Sequence, residues 1–437
     1  MKVLKSTLAS ITLILFALFS TYYAKDKPMD TIAEKYVKLV LNVGQYDDGY
    51  VDAYYGPEKW KPAELSGDEK KNFPYEKLRA EAEGLLSGLN KIPAKALSEI
   101  EKLRQKFLKD QISAVRARIE ILNGKKMTFD EESKALYDAV APVHGKEYFE
   151  NQLKEINRLL PGDGSLSDRY ENFRKDLIIP KDKLDAVFSA AIQECRRRTL
   201  EHIKLPKGEN FKVEYVTDKP WGAYNWYKGN AFSLIQVNTE LPTYIDAPLG
   251  LASHEGYPGH HVYNALLEQD LSKGKGWVEF TVYPLYSPQS LIAEGSANFG
   301  VDMIFPGNER LEFEKNVLYP LAGLDTSKAE QYYKLRALIN NLQYAMTEAA
   351  RNYLDGKFTK EETINWLMKY NMQSRERAER SLRFIEQYRS YVINYTLGQD
   401  MIRNYVEKNT GTEDNQDKRW KIFTKILSTP QTPSGLM

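Results

Sequence analysis

Cysteine and histidine are both scarce in this sequence: of 437 residues, one is a cysteine and five are histidines. A single cysteine, Cys195, excludes an intramolecular disulfide and any metal site built from several thiolates. Its surroundings are typical of a helix, so we expect a buried small residue and not a nucleophile. Any metal site must therefore be built from histidine and carboxylate side chains.

A strong net charge is also absent. The sequence has 61 basic and 60 acidic residues, which gives a net charge of +1. This balance gives no electrostatic reason to expect nucleic acid as a partner, and no nucleic-acid-binding module or phosphate-binding glycine loop stands out. With 42% hydrophobic residues, the composition predicts a folded chain of one large domain or two smaller ones.

One long hydrophobic run stands at the N-terminus. Two lysines precede an apolar run at about 8–23, and charged residues follow it at 25–27. This pattern predicts that 1–28 is a secretory signal peptide or an N-terminal membrane anchor. The tyrosines at 22 and 23 suit signal cleavage poorly, so cleavage or retention stays open, and no cysteine follows that could carry a lipid. We expect an extracytoplasmic protein, secreted or attached to the membrane through this segment.

Helical patterns dominate the rest of the chain. Apolar residues recur at spacings of three to five among charged ones between 97 and 122, and similar patterns predict helices at about 146–160, 290–303 and 328–406. Within the last region, Thr359 and Glu362 predict a capping box, and Ser374 to Tyr395 is predicted as one helix. The sequence therefore predicts a mainly α fold, with a helical N-terminal half at 29–204.

A small β element interrupts the helical pattern after 205–208. Residues 211–216, 223–227 and 232–238 are predicted as strands, with a turn at Gly229–Asn230. We predict an antiparallel element beside the candidate site, where an edge strand could hold an extended substrate or simply cover the helical core. The strands open a second half at 205–407, expected to lie in the same globular unit, and 408–437 is predicted to be a peripheral tail.

The segment HEGYPGHH at 254–261 contains three of the five histidines. Imidazole nitrogens bind zinc well, and a glutamate beside a ligand histidine can activate a metal-bound water. The segment is a variant of the metalloprotease HExxH helix, with extra residues before the second histidine. We therefore predict a Zn²⁺ site with His254 as one ligand and Glu255 as the general base.

The second ligand depends on how the helix continues. In an unbroken helix a residue at i+6 lies roughly 120° around the axis, and a residue at i+7 lies about 10 Å along it. Pro258 removes a helical hydrogen bond, and Gly259 permits unusual backbone angles. We expect the helix to bulge or break here and to bring His260 beside His254, with His261 as the alternate ligand.

A third protein ligand would leave one position for water. Glu294 lies on a predicted helix in a run of small residues that allows close packing, and we predict it as this ligand. Asn298 and Asp302 follow on the same helical face and could orient a ligand histidine. Tyr395 is a candidate donor to the developing oxyanion, as is Tyr391.

These motifs resemble a known family. The HExxPGHH segment and Ala293-Glu294-Gly295 resemble the bacterial "domain of unknown function 885" family, whose members are predicted zinc peptidases. Weaker similarities at 159–162 and 391–399 extend the resemblance over most of 30–407. It implies a mainly α-helical fold around a metal site and a gluzincin-like peptidase activity. Dipeptidyl peptidase III, whose zinc helix also carries an insertion before its second histidine, is a wider comparison.

The resemblance has one departure. Ser296 and Ala297 stand where members usually have a bulky aromatic residue, which bears on the shape of the pocket. We predict an exported zinc-dependent metallopeptidase that acts on a peptide or peptide-like substrate. A metal-dependent amide or ester hydrolase for a non-peptide substrate and a non-catalytic helical binding protein with a structural metal site are the alternatives.

Overall fold

The computed structural model describes residues 28–219 and 221–437. The predicted signal peptide or anchor therefore lies outside the described residues, apart from Pro28. Across the described ranges, no helix combines the length and apolar character that crossing a bilayer requires. The predicted mainly α fold is confirmed, because helices account for most of these residues and strands for few.

Helices and one short strand form the first half. Side chains cap several of these helices at their N-termini, as at Ser98, where Glu101 completes a capping box. The elements are α1 Pro28–Gly44, β1 Val51–Tyr54, α2 Gly67–Lys70, α3 Tyr75–Asn90, α4 Glu99–Leu122, α5 Phe129–Tyr137, α6 Lys146–Leu159, α7 Leu166–Arg174 and α8 Leu184–Leu200.

A three-stranded sheet follows, as the sequence predicts. It contains β2 Asn210–Val216, β3 Ala223–Gly229 and β4 Phe232–Asn238 in the order β2-β4-β3. The hairpin of β3 and β4 is antiparallel, whereas β2 pairs in parallel with β4. The connection after β2 passes the end of β4, where the Asn238 amide donates to the carbonyls of Lys219 and Trp221. This crossing leaves β3 at one edge of the sheet.

The second half is again helical around one short strand. Its elements are α9 Ala247–Leu251, α10 His260–Leu266, β5 Val282–Pro284, α11 Pro288–Ile304, α12 Glu309–Phe313, α13 Tyr319–Ala322, α14 Ala329–Asn340, α15 Tyr344–Leu354, α16 Lys360–Tyr370, α17 Arg375–Tyr388, α18 Ile393–Lys408, α19 Gln416–Ser428 and α20 Pro433–Leu436. The capping box predicted at Thr359 and Glu362 is present at the start of α16.

The prediction of one helix from Ser374 to Tyr395 is wrong. Helix α17 ends at Tyr388, and Arg389 has a positive φ of 53°. The cause is a tertiary contact: the buried carboxylate of Glu132 accepts hydrogen bonds from Arg389 Nε at 2.7 Å and from Ser390 Oγ at 2.7 Å. A single 3₁₀ turn, Arg389–Val392, then leads into α18. The break turns this part of the chain toward the candidate site.

The prediction of a peripheral C-terminal tail also needs correction. Residues 416–428 form α19, whose side chains Trp420, Phe423 and Leu427 are buried in the main hydrophobic core. Phe423 packs edge-on against Phe299 of α11. The tail is polar in overall composition, but its apolar residues fall on one helical face, and that face packs against the central helices.

Helix α11 is almost entirely buried, and α18 packs against it. At the point of contact the two backbones are so close that a side chain would not fit between them. A Cβ on Gly295 would lie 2.4 Å from the carbonyl carbon and oxygen of Gly398, and a Cβ on Gly398 would lie 2.8 Å from the Leu291 carbonyl. Two glycines facing each other therefore set the distance between these helices. This contact places the residues before and after Gly295 beside α18.

We expect Gly295→Ala to destabilise the protein by about 1–3 kcal/mol or more, because the methyl group must push backbone apart. The matched control is Gly84→Ala in the exposed face of α3, where a Cβ would meet nothing within 4 Å. There the better helix propensity of alanine should leave stability unchanged or raise it by up to about 1 kcal/mol. Urea denaturation followed by circular dichroism measures both, and equal stabilities would contradict the close packing.

Candidate metal centre

The break predicted within the histidine-rich segment is present. After α9 the chain forms a π-helical turn, Ala252–Gly256, and a second helix starts at His260. Between them Gly259 N donates to the carbonyl of Ser253 at 2.9 Å. A Cβ at Gly259 would lie 1.8 Å from the carbonyl oxygen of His254, so only glycine fits. The chain thus folds back and places the start of α10 beside His254.

The fold brings His254, His260 and Glu294 together. The Nε2 atoms of the two histidines lie 3.1 Å apart. One carboxylate oxygen of Glu294 lies 3.4 Å from His254 Nε2, and the other lies 3.7 Å from His260 Nε2. All three side chains are largely buried. The predicted first, second and third ligands therefore share one point in space.

The spacing of these atoms fits a zinc ion. Ligand atoms about 2.0–2.1 Å from a tetrahedral zinc lie about 3.3 Å from one another. His254 Nε2 lies close to that value from both His260 Nε2, at 3.1 Å, and Glu294 Oε2, at 3.4 Å, and the second carboxylate oxygen lies 3.7 Å from His260 Nε2. In addition, Glu294 Oε2 is buried and, apart from the His254 ring at 3.4 Å, has no donor nearby among the described residues. A cation between the three groups would give this oxygen a partner.

The residue that orients His254 is Asn298, on the next turn of α11. The Asn298 amide nitrogen donates to the Tyr395 carbonyl at 3.1 Å, which turns its oxygen toward His254 Nδ1 at 3.0 Å. An amide oxygen only accepts, so Nδ1 carries a proton and Nε2 is the nitrogen left for a metal ion. This tautomer is the one that binds a metal through Nε2. Asp302, by contrast, pairs with Arg403 at 2.8 Å.

His261 faces the opposite direction and lies outside this group. It is completely buried. Its Nδ1 lies 2.9 Å from Ser233 Oγ on β4, and its Nε2 lies 3.1 Å from the Glu209 carboxylate. Burial raises the pKa of Glu209, but hydrogen bonds from His261, Tyr257 and Arg196 outweigh it and hold the pKa at about 2. His261 thus anchors the start of α10 to the sheet, while His260 turns toward His254.

Glu255 also lies within reach of the histidines. Its carboxylate and the two imidazoles offer ligand atoms that all lie within 4.8 Å of one another. Both Glu255 and Glu294 are therefore close enough to bind a metal or to act beside it. Each nitrogen has one oxygen of Glu294 at 3.4 or 3.7 Å, so Glu294 stays the predicted third ligand. Glu255, at the wall of the cavity, stays the predicted general base.

Two tyrosines complete the surroundings of Glu294. Tyr391, in the 3₁₀ turn before α18, donates to Glu294 Oε1 at 2.9 Å. Tyr395 lines the same cavity, and its hydroxyl has no hydrogen bond to the described residues. Burial, together with the charges of Glu294 and Glu255, raises the pKa of Tyr395 well above its ordinary value. Tyr391 therefore fixes the carboxylate, while Tyr395 keeps a proton that it can donate.

Negative charge is concentrated around the histidines. Burial raises the pKa of Glu255 to about 7, with Glu294 acting in the same direction and His254 opposing it. Burial lowers the pKa of His260 to about 4, whereas at His254 the carboxylates of Glu294 and Glu255 outweigh burial and raise the pKa to about 9. The negative charge of the buried carboxylates thus exceeds the positive charge of the two histidines beside them. A divalent cation relieves that imbalance.

The group opens into a cavity of about 1060 Å³. Ala223, Tyr224 and Asn225, at the start of the edge strand β3, line it together with His254, His260 and Glu294. The Asn225 amide nitrogen donates to the Glu255 carbonyl at 2.6 Å and so ties the strand to the π-helical turn. The small sheet therefore lies beside the candidate site, where the sequence analysis expected it.

Some residues at the cavity were not found from the sequence. Asp52 of β1 and Tyr224 of β3 line its wall and share a short hydrogen bond. Asp52 is far from the histidine-rich segment in sequence and belongs to no motif, so no local signal points to it. Two arginines in this region already have carboxylate partners. Arg389 binds Glu132, and Arg403 lines the cavity but is paired with Asp302 and Asp400.

Comparison with known proteins gives distant structural similarity alone. No protein-family model matches the sequence, and no curated protein matches it either. The chain is similar to a provisionally assigned lipoprotein from Colwellia psychrerythraea, with 14% identity, a TM-score of 0.47, and coverage of 83% of this chain and 68% of that one. A provisionally assigned lipoprotein of unknown function from Shewanella oneidensis gives 15% identity, a TM-score of 0.44, and coverage of 83% and 71%.

A third solved structure, the M32 carboxypeptidase from Deinococcus radiodurans R1, shows 11% identity and a TM-score of 0.37 over 93% of this chain and 91% of that one. Similarities at these levels say nothing about activity. The resemblance to the domain of unknown function 885 family stays a prediction. The function must be inferred from the geometry of the site.

We expect the purified protein to hold about one zinc per chain, and His254→Ala, His260→Ala and Glu294→Ala to lose it, because each removes one of three ligands. Asn298→Ala should weaken zinc binding by about 10–100-fold, because the histidine loses its fixed tautomer. Mass-spectrometric metal analysis after dialysis measures these contents.

The control for this series is His202→Ala, a histidine stacked on Trp420 away from the cavity, which should keep the metal. Zinc retained by Glu294→Ala but lost from Glu255→Gln would exchange the roles of the two carboxylates. If neither the wild type nor any variant contains zinc, the prediction of a zinc site is wrong.

Proposed function

We propose that the protein is an exported zinc-dependent metallopeptidase, with His254, His260 and Glu294 as metal ligands. The observation that carries this proposal is the convergence of two imidazole nitrogens and one carboxylate at 3.1–3.7 Å, in a buried position. Glu255, at the cavity wall beside them, is in the position for a general base. The export part of the proposal rests on the hydrophobic N-terminal segment.

A zinc ion in this position would polarise a carbonyl group and lower the pKa of a coordinated water toward neutrality. The side chains of the chain itself do the rest. Glu255 takes the proton of the attacking water and passes it to the leaving amine. Tyr395 donates a hydrogen bond to the oxyanion that develops on the carbonyl. Tyr391 and Asn298 hold Glu294 and His254 in place.

A peptide suits this cavity because a strand edge forms part of its wall. Strand β3 is the last strand of its sheet, and its residues Ala223 to Asn225 line the cavity. The backbone of an extended peptide can pair with such an edge, which holds the peptide with its carbonyl groups in register. This feature favours a peptide over a compact non-peptide amide or ester.

We expect Glu255→Gln to retain zinc and to lower kcat by about 1,000-fold, because the amide cannot accept the water proton. Cleavage of a mixed peptide library, followed by mass spectrometry, measures the activity. The control Glu240→Gln changes an exposed glutamate outside the cavity and should act like the wild type. Undiminished turnover in zinc-loaded Glu255→Gln would exclude Glu255 as the base. If the wild type cleaves no peptide in the library, a non-peptide substrate or a structural metal is favoured instead.

Tyr395→Phe tests the oxyanion donor separately. It should reduce kcat by about 100–1,000-fold with little change in KM, because the lost hydrogen bond strengthens only as the oxyanion forms. Zinc content should remain that of the wild type. A change confined to KM would instead assign Tyr395 to substrate binding.

A further inference from the structure

Most charged groups that line the cavity among the described residues are ion-paired or belong to the proposed metal centre. Asp246 pairs with Arg336, and Asp302 and Asp400 both pair with Arg403. Glu255 and Glu294 belong to the proposed metal centre. The remaining carboxylate is Asp52, which has no Lys, Arg or His within ion-pairing distance among the described residues.

The backbone around Asp52 is irregular. Strand β1 pairs with β5 antiparallel, with Val51 opposite Pro284 and Ala53 opposite Tyr283, so Asp52 is an extra residue in the ladder. Bulges of this kind redirect a side chain and often occur beside active sites. Here the bulge accompanies an aspartate on the cavity wall, where Tyr224 from the edge strand β3 donates a short hydrogen bond to its carboxylate.

Nearby polar atoms at the cavity are acceptors in need of donors. Asn225, beside Tyr224 on β3, uses its amide nitrogen to bind the Glu255 carbonyl, which leaves its oxygen as an acceptor. That oxygen is buried and has no partner among the described residues. Asp52 lines the same cavity as Glu294 and Glu255, and burial together with their negative charges raises its pKa. The cavity wall therefore includes a carboxylate without a basic partner and, separately, a buried amide oxygen without a donor among the described residues.

We propose that Asp52 is a specificity-determining residue that binds an ammonium group of the substrate close to the scissile bond. An ammonium group carries one positive charge and three donors, which matches a carboxylate on the cavity wall that has no basic partner. The inference rests on the proposed peptidase function. Two parts of a peptide supply this chemistry, the free N-terminus and a lysine side chain, and the substrates chosen for the test separate them.

The experiment compares the zinc-loaded wild type with Asp52→Asn on matched peptides. The first peptide has a free N-terminus and no lysine, and the second is the same peptide with its N-terminus acetylated. The third set is the acetylated peptide with lysine placed at each position in turn. We expect the wild type to favour a peptide with an ammonium group by about 30-fold or more in kcat/KM, and Asp52→Asn to lose this preference. Preference for the free N-terminus indicates an aminopeptidase-like mode, and preference for one lysine position indicates side-chain recognition. If the wild type cleaves the acetylated lysine-free peptide as fast as the peptides that carry an ammonium group, the proposal is overturned.

Two controls keep this test decisive. Asp400→Asn removes a carboxylate that is already paired with Arg403 and should keep the wild-type preference. Tyr224→Phe leaves the charge of Asp52 but removes its hydrogen bond, and should reduce the preference without abolishing it. This variant replaces Asp52→Asn in the test if Asp52→Asn fails to fold.

A binding measurement separates this inference from the peptidase proposal. Calorimetric titration of Glu255→Gln with the free and the acetylated peptide should show tighter binding of the free or lysine-containing one. If the wild type cleaves nothing but this difference is present, the peptidase proposal fails and the ammonium site stands. If peptides are cleaved but bind and react alike with and without an ammonium group, the ammonium site fails and the peptidase proposal stands.

Discussion

The candidate site depends on one backbone contact, that of Gly259 with the turn containing His254. Gly259 lies so close to the carbonyl of His254 that no side chain could be accommodated. This contact reverses the chain between two short helices, and it converts a separation of six residues into a distance of 3.1 Å between two imidazole nitrogens. Without the reversal, a continuous helix would direct the two rings to different sides.

A second close contact of glycines brings in the carboxylate. Gly295 and Gly398 face each other between α11 and α18, and this places Glu294 near the aromatic residues that precede and begin α18. The turn containing Tyr391 exists because Glu132, in the first half of the chain, binds Arg389 and Ser390. The site therefore joins both halves of the molecule, and packing rather than local preference fixes its geometry.

The acidic side chains of the cavity differ in how far basic side chains neutralise them. At one part of its wall, acidic side chains are neutralised by Arg336 and Arg403. Beside the histidines, however, Asp52, Glu255 and Glu294 gather with little compensating charge, which burial makes costly unless a cation or a proton is bound. The proposed metal ion would neutralise the carboxylate of Glu294 beside the histidines. Asp52, on the bulged strand, would then be available for the positively charged part of a substrate that we propose it binds.

The sequence alone determined the mainly α fold, the three strands, the break at Pro258–Gly259 and the identity of the residues that meet there, because periodicity and special backbone residues act locally. It did not determine which histidine faces His254, since that depends on the anchoring of His261 by Glu209 and Ser233. It also missed the break at Arg389, the burial of α19 and the position of Asp52. Each of these is decided by a partner far away in the chain, and such pairings form only when the core closes around them.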